Sequence, residues 1–247
     1  MTEIRPHISI MHAPWDTERV QMVDRLVAEL DSGQNDDWNV ICGVQGAGIW
    51  DTAKRAWLSC PENFTHQVVL QDDGWPCPNF RGGLKATITI VPDKPISYFY
   101  RVGPADAFKL FSEGKRWFIG GMRGGGVCLS LPRQMAIDFV SWAEENINNF
   151  CPHDDDRLSM FLAEYSIPMF HTIPSLVEHL GRTSTWNAEY KRRSPVGGSQ
   201  YAALWIGEDI DPAGVDWNPG KEIPSKMTMR SANSFKRWRK GAAGSRG

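Results

Sequence analysis

The chain has 247 residues, of which 41% are hydrophobic and 23% are charged, and its formal net charge at pH 7 is −2. These values are typical of a soluble globular protein with a substantial core. No apolar run reaches the roughly 18 residues that a membrane-spanning helix requires, and the N-terminus shows no apolar signal-peptide core. The five cysteines are scattered without a CxxC pair, so neither a disulfide framework nor a zinc site is indicated, and a reducing cytoplasm is expected.

The net charge conceals an asymmetry between the body of the chain and its C-terminal tail. Residues 221–247 contain eight Lys or Arg and one Glu, whereas the first 220 residues contain nineteen Lys or Arg and twenty-eight Asp or Glu. A basic tail favours polyanions because it releases their counterions on binding. The Trp-bearing run 235–240 adds a stacking ring, which suits DNA, and anionic lipid head groups are a second partner that the charge allows. A solvated terminus without a partner is the third interpretation.

The first third of the chain alternates strand and helix patterns, which predicts a parallel α/β sheet. Valines and leucines recur at helical spacing over residues 20–30, and Asp16 or Thr17 can cap the start of this helix. The loop 46–48 does not follow the dinucleotide pattern GxGxxG, and no P-loop signature occurs anywhere. The predicted elements are a strand at 7–12, a helix from 17 to about 33, a strand at 38–44, a helix at 49–60 and a strand around 68–70.

Two adjacent carboxylates, Asp72 and Asp73, follow the third predicted strand. Val68, Val69 and Leu70 form an apolar run typical of a strand that is buried on both faces. Ligands bind at the carboxyl ends of strands in open α/β sheets, and neighbouring carboxylates near an apolar core repel each other. A divalent cation such as Mg²⁺ or Mn²⁺ would relieve that repulsion and would also bind substrate phosphates. An ordinary Asp-Gly turn is the alternative.

The middle of the chain is less regular. Residues 77–91 have a helical pattern, but Gly82, Gly83 and the strand-favouring run 87–91 oppose it. Five glycines in the seven residues 120–126 predict a loop that either closes over a ligand or is merely permissive. The remaining predictions are a strand at 96–100, a loop with a short helix at 103–116, a strand at 127–131 and a helix from Pro132 to about 148.

A second acidic cluster, residues 154–156, follows a histidine and precedes a helical pattern. Aspartates at a helix start complement the helix dipole, but one is enough for a cap, so three in a row also suggest a functional role. From about residue 185 the chain is rich in Gly, Pro and Trp and has weak periodicity. We therefore expect one compact domain at 1–185 and a loop-rich extension at 186–247, whose basic tail begins near 221.

Four of these features together resemble GT-A-fold glycosyltransferases. The third strand ends in Leu70-Gln71-Asp72-Asp73-Gly74, and the corresponding strand of lipooligosaccharide-type enzymes ends in Glu-Asp-Asp. Three further segments, 126–132, 153–156 and 174–181, are similar to the acceptor-side strand, the second acidic motif and the closing histidine segment of such families. The chain also looks similar to glycosyltransferases encoded by bacterial viruses, which implies the cytoplasm of a bacterium or of a phage-infected host.

The resemblance implies an α/β, Rossmann-like fold of the GT-A type, with a mostly parallel central sheet flanked by helices and a loop-rich C-terminal region. It also implies a hexosyltransferase, which moves a sugar from a nucleotide sugar, most readily a UDP-sugar, to a hydroxyl group. Such a reaction needs positive charge at the departing diphosphate and a base for the acceptor. A divalent metal, Mn²⁺ or Mg²⁺, would supply the charge.

The residues that the resemblance assigns to this chemistry fall into three groups. The implied metal ligands are Asp72, Asp73 and His179, and a contact with the donor phosphates is the alternative role of His179. The implied contacts of the donor's base and ribose are His12, Ala13, Pro14 and Asp72. The candidates for orienting and deprotonating the acceptor are Asp154, Asp155 and Asp156. Many of these enzymes have Asp-x-Asp where this chain has Gln71 two positions before Asp73, which leaves Asp73 as the main ligand and Asp72 in an assisting role.

Two classes of acceptor are open at this stage. One is a saccharide or other small molecule, and the other is a hydroxymethylated base in phage DNA, reached through the basic tail. A non-catalytic protein that binds nucleotide sugars or nucleic acid is the alternative, although it would not need two acidic clusters. A sugar-nucleotide nucleotidyltransferase would need a glycine-rich GxGxR-type segment after the first strand, and the chain lacks one.

Overall fold

The computed structural model describes residues 3–31, 37–101, 104–122, 125–147, 151, 153–180 and 201–219. The helices in these ranges are α1 (Thr17–Asp31), α2 (Ile49–Leu58), α3 (Phe80–Ile90), α4 (Pro104–Ser112), α5 (Arg133–Asn146) and α6 (Asp154–Glu164). The strands are β1 (Pro6–His12), β2 (Trp38–Cys42), β3 (His66–Gln71), β4 (Gly74–Pro76), β5 (Ile96–Ser97), β6 (Trp117–Gly120), β7 (Cys128–Pro132), β8 (Met169–Thr172) and β9 (Val177–His179). No helix in the described ranges is both long enough and apolar enough to cross a membrane.

Seven strands form a mixed central sheet in the order β2-β1-β3-β7-β5-β8-β6. The pairings β1–β2, β1–β3 and β5–β8 are parallel, whereas β3–β7, β5–β7 and β6–β8 are antiparallel. A separate antiparallel pair joins β4 to β9. The predicted α/β class, with a central sheet flanked by helices, is confirmed, and β2-β1-β3 is its continuous parallel part.

The opening β1-α1-β2-α2-β3 follows the predicted order closely. Along β3, Val68 and Leu70 contribute to one core cluster and Val69 to the other, and all three side chains are fully buried. Because successive side chains of a strand point to opposite faces, this alternation shows that β3 is covered on both sides, as its apolar run predicted. The end of β3 is therefore held firmly in the centre of the molecule.

Helices cover the two faces of the sheet and give the fold three layers. α1 and α3 pack on one face through Leu26 and Leu84, and α2, α5 and α6 pack on the other through Trp57, Phe139 and Leu162. The rings of Trp57 and Phe139 meet edge to face, with centroids 5.8 Å apart. This two-sided packing fixes the strand ends, so the segments that follow β1 and β3 start from defined positions.

The segment where helix and strand patterns competed forms helix α3. A Cβ atom added at Gly83 would lie 2.8 Å from Pro212 Cβ and 3.0 Å from Leu176 Cδ1, so this glycine allows close packing. The hydroxyl of Thr87 donates to the Gly83 carbonyl oxygen over 2.7 Å, and Ile88 is fully buried. Tertiary packing thus outweighs the strand preference of the β-branched run.

The strand predicted at 96–100 is shorter in the structure, because β5 contains only Ile96 and Ser97. The carbonyl oxygen of Tyr98 accepts hydrogen bonds from the backbone N–H groups of Leu176 and Val177, at 3.0 and 3.2 Å. After Ser97 the backbone therefore stops pairing with β8 and forms hydrogen bonds with the segment at the start of β9 instead. The short helix expected within 103–116 is confirmed as α4.

Residues 201–219, which belong to the predicted loop-rich extension, pack tightly against the domain. Trp217 is buried, its indole N–H donates to the Pro212 carbonyl oxygen over 2.8 Å, and its own carbonyl oxygen accepts from Trp117 Nε1 over 2.6 Å. The Ser175 N–H donates to the Leu204 carbonyl oxygen over 2.7 Å. This segment is therefore part of the compact unit. The basic tail at 221–247 lies outside the described residues.

Candidate active site

The predicted site residues lie at one end of the sheet, where the parallel strands β1 and β3 have their carboxyl ends. These two strands are parallel, so their carboxyl ends lie side by side. After β3 the chain passes through Asp72 and Asp73 into β4, and β4 pairs with β9 so that Gly74 lies opposite His179. Residues that are more than a hundred positions apart in the chain are thereby brought to the same strand ends.

Asp72 is buried against the end of β1. Its Oδ2 atom accepts hydrogen bonds from the backbone N–H of Ala13, at 2.8 Å, and from His12 Nδ1, at 3.1 Å. Its Oδ1 atom forms an ion pair with Arg19. The structure thus brings together three of the predicted donor contacts, His12, Ala13 and Asp72. The fourth, Pro14, follows Ala13 in the chain and is exposed.

Asp73 is buried against β9 and the first turn of α1. Its Oδ2 atom contacts His179 Nε2 at 2.9 Å and Arg19 Nη2 at 2.7 Å, while its Oδ1 atom has no hydrogen-bond partner in the described part of the chain. Burial raises the pKa of this carboxyl, but the hydrogen bond and charge of His179 and the charge of Arg19 outweigh it, so the pKa of Asp73 is lowered. Asp73 is therefore held as a carboxylate.

Arg19 is the site residue that the sequence did not indicate. Its two terminal nitrogens contact different carboxylates, Nη1 that of Asp72 and Nη2 that of Asp73, and its side chain is only 11% exposed. Burial lowers the pKa of the guanidinium, but the two carboxylates outweigh this effect and raise it. Arg19 therefore carries a permanent positive charge between the two aspartates.

The three predicted metal ligands lie together, but their arrangement does not fit a divalent ion. Both oxygens of Asp72 and the Oδ2 atom of Asp73 already accept from nitrogen donors, among which Arg19 is a cation. In the ranges that the structure describes, no group of three His, Cys, Asp or Glu side chains is placed to hold a metal. A hard cation requires several oxygen ligands, and this arrangement offers only the Oδ1 atom of Asp73.

The second acidic cluster forms the first turn of α6, and its three aspartates differ in exposure. Asp154 is buried, Asp155 is half-buried and Asp156 is exposed. Burial and the neighbouring Asp155 raise the pKa of Asp154 to about 7. The nearby Trp57 indole N–H partly offsets this rise in the pKa of Asp154. The contact is not a hydrogen bond of ordinary geometry, and within the described residues neither the indole N–H nor Asp154 Oδ2 makes one. Burial and the charge of Asp156 raise the pKa of Asp155.

Gly126 lies between the two acidic clusters. A Cβ atom added at Gly126 would lie 3.2 Å from Asp155 Cβ, 3.6 Å from Asp154 Oδ1 and 3.6 Å from Nε2 of Gln71. Gln71 directly precedes the Asp72–Asp73 pair, and its backbone N–H donates to the Val127 carbonyl oxygen over 2.8 Å. The end of the glycine-rich segment therefore lies between the end of β3 and the start of α6. Residues 123–124 of that segment are outside the described ranges.

No protein-family model and no curated protein sequence matches this chain. Among solved structures, the chain is similar to a point variant of Drosophila β-1,4-galactosyltransferase 7 in complex with manganese, UDP-Gal and xylobiose. The sequence identity is 11%, the TM-score is 0.42, and the match covers 76% of this chain and 79% of that chain. A likeness of this extent assigns no function, which must come from the chain's own residues.

Proposed function

We propose that this protein is a GT-A-type glycosyltransferase that moves a hexose from a nucleoside diphosphate sugar, most readily a UDP-sugar, to a hydroxyl acceptor. The observation that carries the proposal is the position of the second acidic cluster. Gly126 lies against both Asp155 and Gln71, so a half-buried carboxyl lies beside the strand end that carries the Asp72–Asp73 pair. A transferase needs a donor site and a proton acceptor next to each other, and this juxtaposition supports the assignment of both to this end of the sheet.

The donor's base and ribose are assigned to the segment after β1. Ala13 is half-buried and Pro14 is exposed, so ligand groups have access to both. The contacts of Asp72 with the Ala13 N–H and with His12 fix this segment to the end of β3. Because these contacts hold the segment in place before a ligand arrives, they would reduce the ordering cost of binding there.

Asp155 is the residue that we assign as general base. It is half-buried, and its raised pKa moves its basicity towards the operating pH. In an inverting transfer, Asp155 takes the proton of the acceptor hydroxyl as the new bond to the sugar C1 atom forms. The bond from C1 to the phosphate oxygen breaks, and the nucleoside diphosphate leaves with the electron pair. Asp154 is too buried to reach an acceptor, and Asp156 is exposed.

The acceptor remains one of the two classes considered above, a saccharide or other small molecule or a hydroxymethylated DNA base. Salt-dependent binding to DNA that is lost on deletion of residues 221–247 would favour the DNA base. Transfer to free saccharides with unchanged rate in the shortened protein would favour the small-molecule acceptor.

Thermal unfolding with nucleoside diphosphates tests the donor site. A ligand at about 100 times its dissociation constant stabilises the fold by about 2.7 kcal/mol, which corresponds to roughly 5–11 °C in a chain of this size. We expect a shift of this order with uridine diphosphate. The Ala13→Leu variant should lose the shift because the larger side chain enters the proposed pocket, whereas Ala28→Leu, an exposed position on α1, should keep it.

The outcome separates three possibilities. A shift that Ala13→Leu removes supports the donor site, and turnover of the nucleotide sugar then identifies an enzyme. A shift without any turnover would favour the non-catalytic binding protein. The absence of a shift with uridine, guanosine and thymidine diphosphates would contradict the proposal.

A further inference from the structure

We infer that Arg19 is the resident cation of the Asp72–Asp73 pair, in the position where the family resemblance expects a divalent metal. The guanidinium is part of the chain, comes from the first turn of α1 and spans both carboxylates. The effect of Arg19 on donor binding rests on the proposed function. The contact of Arg19 with Asp72 and Asp73 does not.

The geometry of the contacts supports this inference. A guanidinium is a planar fork with fixed N–H directions, and here its two terminal nitrogens each contact a different aspartate. The remaining oxygen of Asp72 is used by the backbone N–H of Ala13 and by His12. A metal ion that used these carboxylate oxygens would have to displace the guanidinium from both aspartates.

Arg19 also offsets part of the negative charge at the site. Two buried carboxylates in neighbouring positions need a positive partner, and Arg19 supplies one that does not lose its proton at accessible pH. His179 contacts Asp73 from the other side, at 2.9 Å. The guanidinium therefore cancels one of the two negative charges, and the remaining contacts of the pair come from neighbouring nitrogen donors of the chain, so a divalent cation would have to compete with these contacts for the carboxylate oxygens.

One consequence follows for the proposed reaction. If Arg19 fills the acidic pair throughout, nucleoside diphosphate binding does not depend on a divalent ion at this site. Uridine diphosphate should then bind equally well in a chelating buffer and in the presence of Mn²⁺, apart from the ordinary complexation of the free nucleotide.

The direct test is a Mn²⁺ titration of the nucleotide-free protein, followed by the electron paramagnetic resonance signal of free Mn²⁺. We expect the wild type to leave the signal unchanged. Arg19→Gln removes the guanidinium and should take up a single Mn²⁺ per chain, and a further Asp73→Asn change should abolish that uptake. Arg25→Gln, at an exposed position on the same helix, is the control and should behave like the wild type.

Uptake of one Mn²⁺ by the wild type that Asp73→Asn abolishes would overturn the inference, and so would a folded Arg19→Gln protein that takes up none. If Arg19→Gln does not fold, Arg19→Lys replaces it. A lysine ammonium cannot bridge two carboxylates as a guanidinium does, so this variant should bind Mn²⁺ more strongly than the wild type, and equal affinity would overturn the inference.

A second measurement, uridine diphosphate binding by calorimetry with a chelator and with Mn²⁺, tests the consequence. Equal binding supports the inference, and binding that requires Mn²⁺ overturns it. If uridine diphosphate binds under neither condition, the proposed donor site fails, while the Mn²⁺ titration still decides the role of Arg19.

Discussion

Replacement of Asp154 by asparagine is expected to stabilise the protein at neutral and alkaline pH. Asp154 is 2% exposed, and its Oδ2 atom has no hydrogen-bond partner in the described residues. Burial, together with the charge of Asp155, raises its pKa to about 7 from an ordinary value of 3.8. Asparagine has nearly the same shape and carries no charge, so it avoids the cost of burying a carboxylate.

The size of the effect follows from proton linkage. Because its pKa is higher in the folded state, Asp154 binds more protons there, so the free energy of unfolding falls as the pH rises from about 4 through about 7. The difference between 3.8 and about 7 is about three pH units, and at about 1.4 kcal/mol for each unit it amounts to about 4 kcal/mol. The advantage of Asp154→Asn should thus be near zero at about pH 4 and approach this value above about pH 8.

Urea unfolding of both proteins at a series of pH values measures this difference. Asp156→Asn is the control, because its exposed side chain should change the free energy of unfolding by less than about 0.5 kcal/mol. If the wild type and Asp154→Asn show the same pH dependence between about pH 4 and about pH 8, Asp154 does not titrate as a buried carboxyl, and the reasoning is refuted.

Two further predictions concern the residues that join the site. Arg19→Gln leaves two buried carboxylates without their cation and should lower the free energy of unfolding by about 3–5 kcal/mol in urea titrations, whereas exposed Arg25→Gln should change it by less than about 0.5 kcal/mol. Equal losses in the two variants would show that the ion pairs contribute nothing. Gly126→Ala places a Cβ atom 3.2 Å from Asp155 Cβ and should shift that carboxyl by a few tenths of an ångström. The kcat of the Gly126→Ala variant should fall by up to about tenfold, while its melting temperature changes little. An unchanged kcat would argue against a catalytic position for Asp155.

Much of the N-terminal half could be predicted because local patterns agree with the tertiary structure there. The apolar run of β3 predicted a strand buried on both faces, and the structure covers it from both sides. Helix α3 could not be assigned in the same way, since Gly83 and the β-branched run after it contradict a helix when read alone. The close approach of Pro212, which comes from a segment far along the chain, explains the glycine.

The candidate site was predictable only in part. The strand end identified Asp72 and Asp73, and the resemblance added His12, Ala13 and His179, which the structure brings into contact with them. Arg19 could not be identified, because nothing in its neighbourhood in the sequence indicates an ion pair with residues more than fifty positions away. Two neighbouring buried carboxylates require a positive charge close to them. This requirement was the signal that could have pointed to a cationic side chain of the protein itself.

The most direct measurement of the proposed function is release of uridine diphosphate from UDP-hexoses, with saccharide and DNA acceptors present. We expect turnover by the wild type and a loss of kcat by about 10²- to 10⁴-fold in Asp155→Asn. Glu164→Gln, at an exposed position near the end of the same helix, should match the wild type. A wild-type protein that releases no nucleoside diphosphate from uridine, guanosine or thymidine diphosphate sugars would contradict the assignment of this site as a glycosyltransferase centre.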